Sequence, residues 1–292
     1  MKKLKFAVLT LTLVTGLCLF AGCAAQESTE ATPSAPAVTE GAVTDTTEET
    51  DNTDATAPET SGGQLIVGTN AAFPPFEYIM ENGIVDNFSG VDIAISKEIA
   101  DALGKELVVQ DMEFTAVLAA VSSGNVDFGA AGLTADDERR QSMDFSIPYY
   151  TAMQSIIVKK DNATITSAED IKPLVVGVVQ GFTGQSVCED ELMIPESNLK
   201  VYDIGMAAVA DLKRDAVDAV VIDSHTAAAM VSLNSDLKIV EDPETFSTEE
   251  YAIAVQKGNT EMLDAVNGVL KEMIESGKID ALVAEHGAAT ME

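Results

Sequence analysis

Basic residues, histidine, cysteine and aromatics are all scarce in this 292-residue chain, and tryptophan is absent. Each shortage removes a class of function. Seventeen Lys and Arg stand against 48 Asp and Glu, a formal charge of −31, and no Lys/Arg-rich stretch offsets it. A chain of that sign repels phosphodiesters, which argues against a nucleic-acid partner. The two histidines, His225 and His286, have no ligand-like partner at metal spacing, so neither a metal site nor His-dependent catalysis is expected. Of the three cysteines, Cys18 and Cys23 belong to the N-terminal region and only Cys188 to the body. With the first two removed or modified, no disulfide can form within the chain. Cys188 then reads as a small, half-buried hydrophobe. The N-terminal apolar run, residues 6–20, is shorter than the ~20 residues a membrane-spanning helix needs.

That run follows Lys2, Lys3 and Lys5 and ends in Ala21-Gly22-Cys23. A basic start, a short apolar core and small residues before a cut site make a secretory signal. The cysteine placed there resembles that of a bacterial lipoprotein signal, with Phe20 standing where leucine is usual. The resemblance implies removal of residues 1–22, lipidation of Cys23, and an extracytoplasmic protein lipid-anchored to the cell membrane. Residues 24–63 are mostly Thr, Glu, Ala, Ser, Asp and Pro, without an aromatic. Such a composition buries too little apolar surface to offset ordering entropy. Residues 23–63 are therefore expected to form a disordered acidic tether.

From residue 64 onward, β-branched runs alternate with helix-period segments. Strands are expected at residues 64–68, 106–109, 126–131, 154–159, 175–179, 219–222 and 252–256. Helices are expected at 91–103, with Ile93, Ile95, Ile99 and Leu103 near one face, at 116–122 ended by Gly124, and at 207–214 and 260–276. Alternation of this kind is an α/β fold with largely parallel sheets.

The run Gly132-Leu133-Thr134-Ala135-Asp136-Asp137-Glu138-Arg139, followed by Met143 to Tyr150, carries the chemistry. It sets an arginine beside a Gly-Thr turn at the expected mouth of a helix. Backbone N–H groups, a hydroxyl and a guanidinium together suit a carboxylate. The plainer reading is a capped surface helix with a solvated Glu138-Arg139-Arg140 cluster. Asp223, at the end of an apolar strand, is either a helix N-cap or a buried acid.

The same motifs, in order, resemble those of the polar amino-acid-binding proteins of ATP-binding-cassette importers, solute-binding family 3. They are Gly68-Thr69-Asn70-Ala71-Ala72-Phe73-Pro74-Pro75-Phe76-Glu77-Tyr78, Gly90-Val91-Asp92-Ile93, Phe114 with its helix, and Gly124-Asn125-Val126-Asp127-Phe128. The run from Gly132, Val178-Val179-Gln180-Gly181-Phe182-Thr183-Gly184 and Asp218-Ala219-Val220-Val221-Ile222-Asp223 complete the set. The resemblance implies a two-lobed, type II periplasmic-binding-protein-like fold with a hinge of two crossing strands. Lobe 1 would comprise residues 64–150 and 249–292, and lobe 2 residues 153–246. It further implies a monomer that delivers a free L-amino acid to a membrane permease, with no cofactor and no catalytic residue.

By the same resemblance Arg139 pairs with the ligand α-carboxylate, Thr134 and Gly132 share it, and Ala131 lies beside them. Asp223 receives the α-ammonium. Thr183 and Gly184 close over the carboxylate, and Phe73 and Phe114 flank the ligand. Phe76 and Tyr78 are left to the core or the rim. Asn70, Gln180 and Ile222 stand where charged or ionisable groups occur in some relatives. Amide contacts from Asn70 and Gln180 then suggest a neutral ligand. Two other functions share the fold: a cyclohexadienyl dehydratase-like enzyme, and a sensor module.

Overall fold

The computed structural model describes residues 63–290. The expected leader, tether and Cys23 lie outside them. The body begins with β1 (Gln64–Thr69) and a small antiparallel sheet of β2 (Ala72–Phe73), β3 (Glu77–Ile79) and β4 (Phe88–Ser89). Helix α1 (Val91–Ala102), β5 (Glu106–Asp111), α2 (Phe114–Ser123), β6 (Phe128–Gly129), the short α3 (Arg139–Ser142) and β7 (Met143–Phe145) follow. The long strand β8 (Tyr150–Lys159) leads to β9 (Val176–Val179), α4 (Thr183–Ser186), β10 (Leu199–Tyr202) and α5 (Gly205–Lys213). Then come β11 (Ala219–Asp223), α6 (Ser224–Ser232), β12 (Leu237–Val240), β13 (Thr248–Tyr251), β14 (Ala254–Gln256), α7 (Thr260–Glu275) and α8 (Lys278–Ala289).

These strands build two main sheets. The first has the order β5-β1-β6-β14-β7, with β1 parallel to both β5 and β6. The second has the order β10-β9-β11-β8-β12. Strand β8 serves both ends of its length: Tyr150 to Met153 pair with β13, and Gln154 to Lys159 with β11 and β12. Strand β13 pairs Tyr251 with Tyr150, and the chain then enters β14 in the first sheet. Two antiparallel strands thus carry the chain between the sheets, which makes the body two-lobed.

Periodicity accounts for most of these elements. Ile93, Ile95 and Ile99 are fully buried on α1, each contributing about 1.5–3 kcal/mol by leaving water. Strand β11 reads as an unbroken apolar run because both its faces are covered. Val220 and Ile222 pack into one core cluster, Ala219 and Val221 into another. Cys188 is fully rather than half buried, and burial pushes its thiol up to about 12.

Four expectations shift. Leu103 caps α1 and is 37% exposed, outside the buried face. Residues 126–131 hold only two residues of strand. The Asp127 carboxylate takes the Ile66 N–H at 2.7 Å, and Ala130 N–H goes to Gly68 O at 3.1 Å. No long helix follows Gly132; the chain runs as loop to the four-residue α3. Residues 252–256 divide, since Ala252 N–H reaches Leu133 O and Ile253 N–H reaches the Ser146 hydroxyl. Strands β10 and β12 and helix α8, absent from the sequence reading, have too few buried positions for a clear period: α8 buries Ile279 and His286 alone. Strand β13, also absent from it, does alternate, but one of its two buried residues is Glu249, which hides the pattern.

Candidate functional site

The loop from Ala131 to Thr134 leaves the C-terminal end of β6 and is stitched to β13. Ala252 N–H bonds Leu133 O at 3.0 Å, and Ala135 N–H bonds Glu250 O at 3.1 Å. Gly132 has φ 54°, and a Cβ there would lie 2.6 Å from the Phe73 ring. Only glycine lets the loop pass so close to that aromatic. From the other lobe, the chain leaves β9 at Val179 and turns through Gly181, at φ 75°, into α4. Strand β11 delivers Asp223 to the same space.

Nine residues line the resulting cavity: Phe73, Phe114, Ala131, Gly132, Thr134 and Arg139 from one lobe, Phe182, Thr183 and Asp223 from the other. The space left between them is about 10 Å³, close to the room one water needs. The lobes are in contact across it. The Arg139 guanidinium donates to Thr134 O at 2.9 Å and to Gly181 O of the opposite lobe at 3.0 Å. It also lies 3.3 Å from Asp136 and 5.3 Å from the centre of the Phe114 ring. The Thr183 hydroxyl donates to that of Thr134 at 3.1 Å. The Phe182 ring is 4.5 Å from Phe114 and 5.3 Å, edge-on, from Phe73. A broader cleft of about 530 Å³ opens on the outer side of Arg139, shared with Asp136, Glu138 and Gly181.

The electrostatics follow from burial. Asp223 is 4% exposed and occupies the N-cap position of α6 without capping it. Its carboxyl accepts the Tyr251 hydroxyl instead. Desolvation first, then the charge of Glu249, raise it from 3.8 to about 7. Burial pulls the Arg139 guanidinium below its ordinary range, while Asp136, Glu249 and Asp223 act against that. Glu249 is buried at the crossing strand and accepts two donors, the Thr134 hydroxyl at 2.8 Å and the Gln154 amide at 2.9 Å.

Of the residues singled out in the sequence, Phe73, Phe114, Ala131, Gly132, Thr134, Arg139, Thr183 and Asp223 come together here. Gly184 lies just beneath, where a Cβ would meet the Gln154 amide oxygen at 2.8 Å. Asn70 and Gln180 are not part of the lining. The Asn70 amide donates to Met112 O at 2.9 Å, and Gln180 is exposed. The Gly132 N–H is taken by the Asp92 carboxylate at 2.9 Å. Phe76 is fully buried, and Tyr78 reaches His286 at 3.0 Å. Phe182, Glu249, Gln154 and Tyr251 escaped the sequence reading. An aromatic inside a Gly-rich turn was the available signal for Phe182; Glu249 sits in an ordinary acidic run, Glu249-Glu250.

The model of the bacterial extracellular solute-binding proteins, family 3, matches residues 65–289. The arginine-binding extracellular protein ArtP of Bacillus subtilis is 34% identical, over 77% of this chain and 86% of its own. The solved structure of the amino acid ABC transporter substrate-binding protein AbpA from Streptococcus pneumoniae, bound to L-arginine, superposes with a TM-score of 0.72. It is 35% identical and covers 78% of this chain and 96% of that one. An ancestral arginine-binding protein bound to glutamine gives 0.69 at 40% identity, over 76% and 96%.

Proposed function

The chain belongs to the bacterial extracellular solute-binding proteins of family 3, and on that premise we propose that it captures a free L-α-amino acid between its lobes and delivers it to the permease of an ATP-binding-cassette importer. The observation that carries this reading is the cavity lining: Arg139 and Asp223 offer opposite charges from opposite lobes. A zwitterion matches both, with the planar guanidinium on its carboxylate and Asp223 on its ammonium. Entry requires the lobes to part, because a cavity of about 10 Å³ is too small for an amino acid. A ligand bridging both lobes binds the closed arrangement better, and that difference drives closure. The protein acts as a monomer, held by a lipid on Cys23 at the outer face of the membrane.

The neutral ligand suggested by the sequence rested on Asn70, Gln180 and Ile222 standing where some relatives carry charged or ionisable groups, with amide contacts from Asn70 and Gln180. With both directed elsewhere, the choice between neutral and cationic amino acids passes to the charges of the cleft. The enzyme reading draws on one observation, an Asp223 poised near neutrality as a general acid would be. Its relatives here are named as binding proteins, and we favour binding. Thermal-shift screening of the purified protein against the twenty amino acids tests this, since ligand raises apparent stability. At least one amino acid should raise the melting temperature; no response to any of them, or turnover of prephenate, would overturn it.

A further inference from the structure

The hydroxyl of Thr134 has one proton, and the structure shows where it goes. A carboxylate only accepts hydrogen bonds. Glu249 therefore takes that proton from Thr134 at 2.8 Å, and its other oxygen takes the Gln154 amide at 2.9 Å. Thr134 Oγ1 is left as an acceptor, and it accepts the Thr183 hydroxyl at 3.1 Å. The backbone donor next to it, Gly132 N–H, is already held by Asp92 at 2.9 Å. The oxygens of Asp223, Glu249 and Thr134 thus gather at the crossing strands, and the Gln154 amide oxygen is buried there with no donor. Asp223, raised by burial to about 7, and Glu249 face Arg139 at this corner, with Asp136 drawing on the same guanidinium.

We infer that Glu249 is a positioning residue that sets ligand selectivity: it turns the Thr134 hydroxyl into an acceptor and places a buried carboxylate behind it, so the cleft favours an amino acid of net positive charge. This rests on the reading that an amino acid binds between Arg139 and Asp223. The ligand carboxylate is then served by Arg139 and the closing loop, and not by the Thr134 hydroxyl or the Gly132 N–H. The position of Glu249 is a product of the fold. Strand β13 is bonded to β8 on one side, with Glu249 opposite Ala152, and to the Thr134 loop on the other. One side chain on the crossing strand therefore touches a site hydroxyl from lobe 1 and, through it, the Thr183 hydroxyl from lobe 2.

Calorimetric titration of the full mature protein with arginine and with glutamine tests this through the ratio of the two affinities, which a merely structural role would not move. Glu249→Gln keeps the shape and removes the charge, and should lower the arginine-to-glutamine ratio by about tenfold. Thr134→Val keeps the volume and leaves the Glu249 charge with one donor fewer. It removes the acceptor oxygen that Glu249 creates and should lower the ratio by roughly threefold, and it needs no change at Glu249 itself. A ratio unmoved in Glu249→Gln, or a Thr134→Val variant that weakens both ligands equally, overturns the inference while leaving amino-acid capture intact. Wild-type protein that binds neither arginine nor glutamine while another amino acid binds overturns the inference alone. Wild-type protein that binds no amino acid overturns the underlying reading, and this inference with it.

Discussion

Two pairs of buried carboxyl groups lie in this protein, and they keep different company. Glu77 and Asp92, under the small sheet and α1, are both 0% exposed. Asp92 accepts Tyr149 Oη at 2.6 Å and Gly132 N–H at 2.9 Å, whereas neither oxygen of Glu77 meets a donor. Desolvation raises Glu77 well above its ordinary range, with Asp92 adding to the effect. Burial lifts Asp92 to about 6. Asp223 and Glu249 are buried to a similar degree but line or back the cleft, and Arg139 stands before them. Burial alone therefore does not mark a functional acid. Both pairs are raised by burial; what separates them is place, since Glu77 and Asp92 meet only scaffold groups while Asp223 and Glu249 stand at a cleft opposite a cation.

The comparison breaks most easily at Arg139. Arg139→Lys should cost on the order of 2–5 kcal/mol of ligand affinity, because a buried, bidentate charge partner is lost. Calorimetry returning near-native affinity would remove the cation from the argument.

Asp223→Asn comes next. In the wild type, Asp223 holds a proton up to about pH 7, and an ammonium pairs with it only once that proton has left. Affinity should therefore fall as the pH drops below 7, by at most about tenfold per unit. The Asn variant should bind weakly and lose this slope; titrations across the acid range that show the same slope in both proteins would assign it to another group.

Glu77→Gln probes the other pair and should leave affinity alone. A carboxyl raised in the folded state stabilises fully below its unfolded value and loses that contribution as the pH rises through the folded value. Glu77, Asp92 and Asp223 all have this sign. The fold should thus gain stability on acidification from about pH 8 toward 5. That gain reverses when Asp144, Asp170 and Asp242, held low by their hydrogen bonds, are protonated in turn. Glu77→Gln should raise stability at pH 8 by about 1–3 kcal/mol and change little near pH 4. Denaturant melts showing equal effects at both pH values would contradict a proton-bearing Glu77. The smallest effect belongs to Gln180→Ala, which should alter affinity less than about twofold, since an exposed side chain away from the lining exchanges only water contacts; a larger loss in the same titrations would bring Gln180 back to the ligand.

Local patterns in the chain were enough for the α/β alternation, the helical face of Ile93, Ile95 and Ile99, the buried strand ending in Asp223, and the placing of Arg139 beside Gly132 and Thr134. Each of these depends on neighbours within a few residues, where periodicity and turn chemistry act directly. Tertiary structure alone decided which hydrogens and charges the cleft has to offer. Glu249 lies 115 residues from Thr134, and no local rule distinguishes it from Glu250 beside it. Only the pairing of β13 with β8 and with the Thr134 loop aims one of them inward and the other out, because successive strand residues face opposite sides. The same holds for the Asn70 amide and the Gly132 N–H. Their chemistry was plain in the chain, but a polar group serves a ligand only if the fold has not already bonded it, and that is settled by contacts from distant segments.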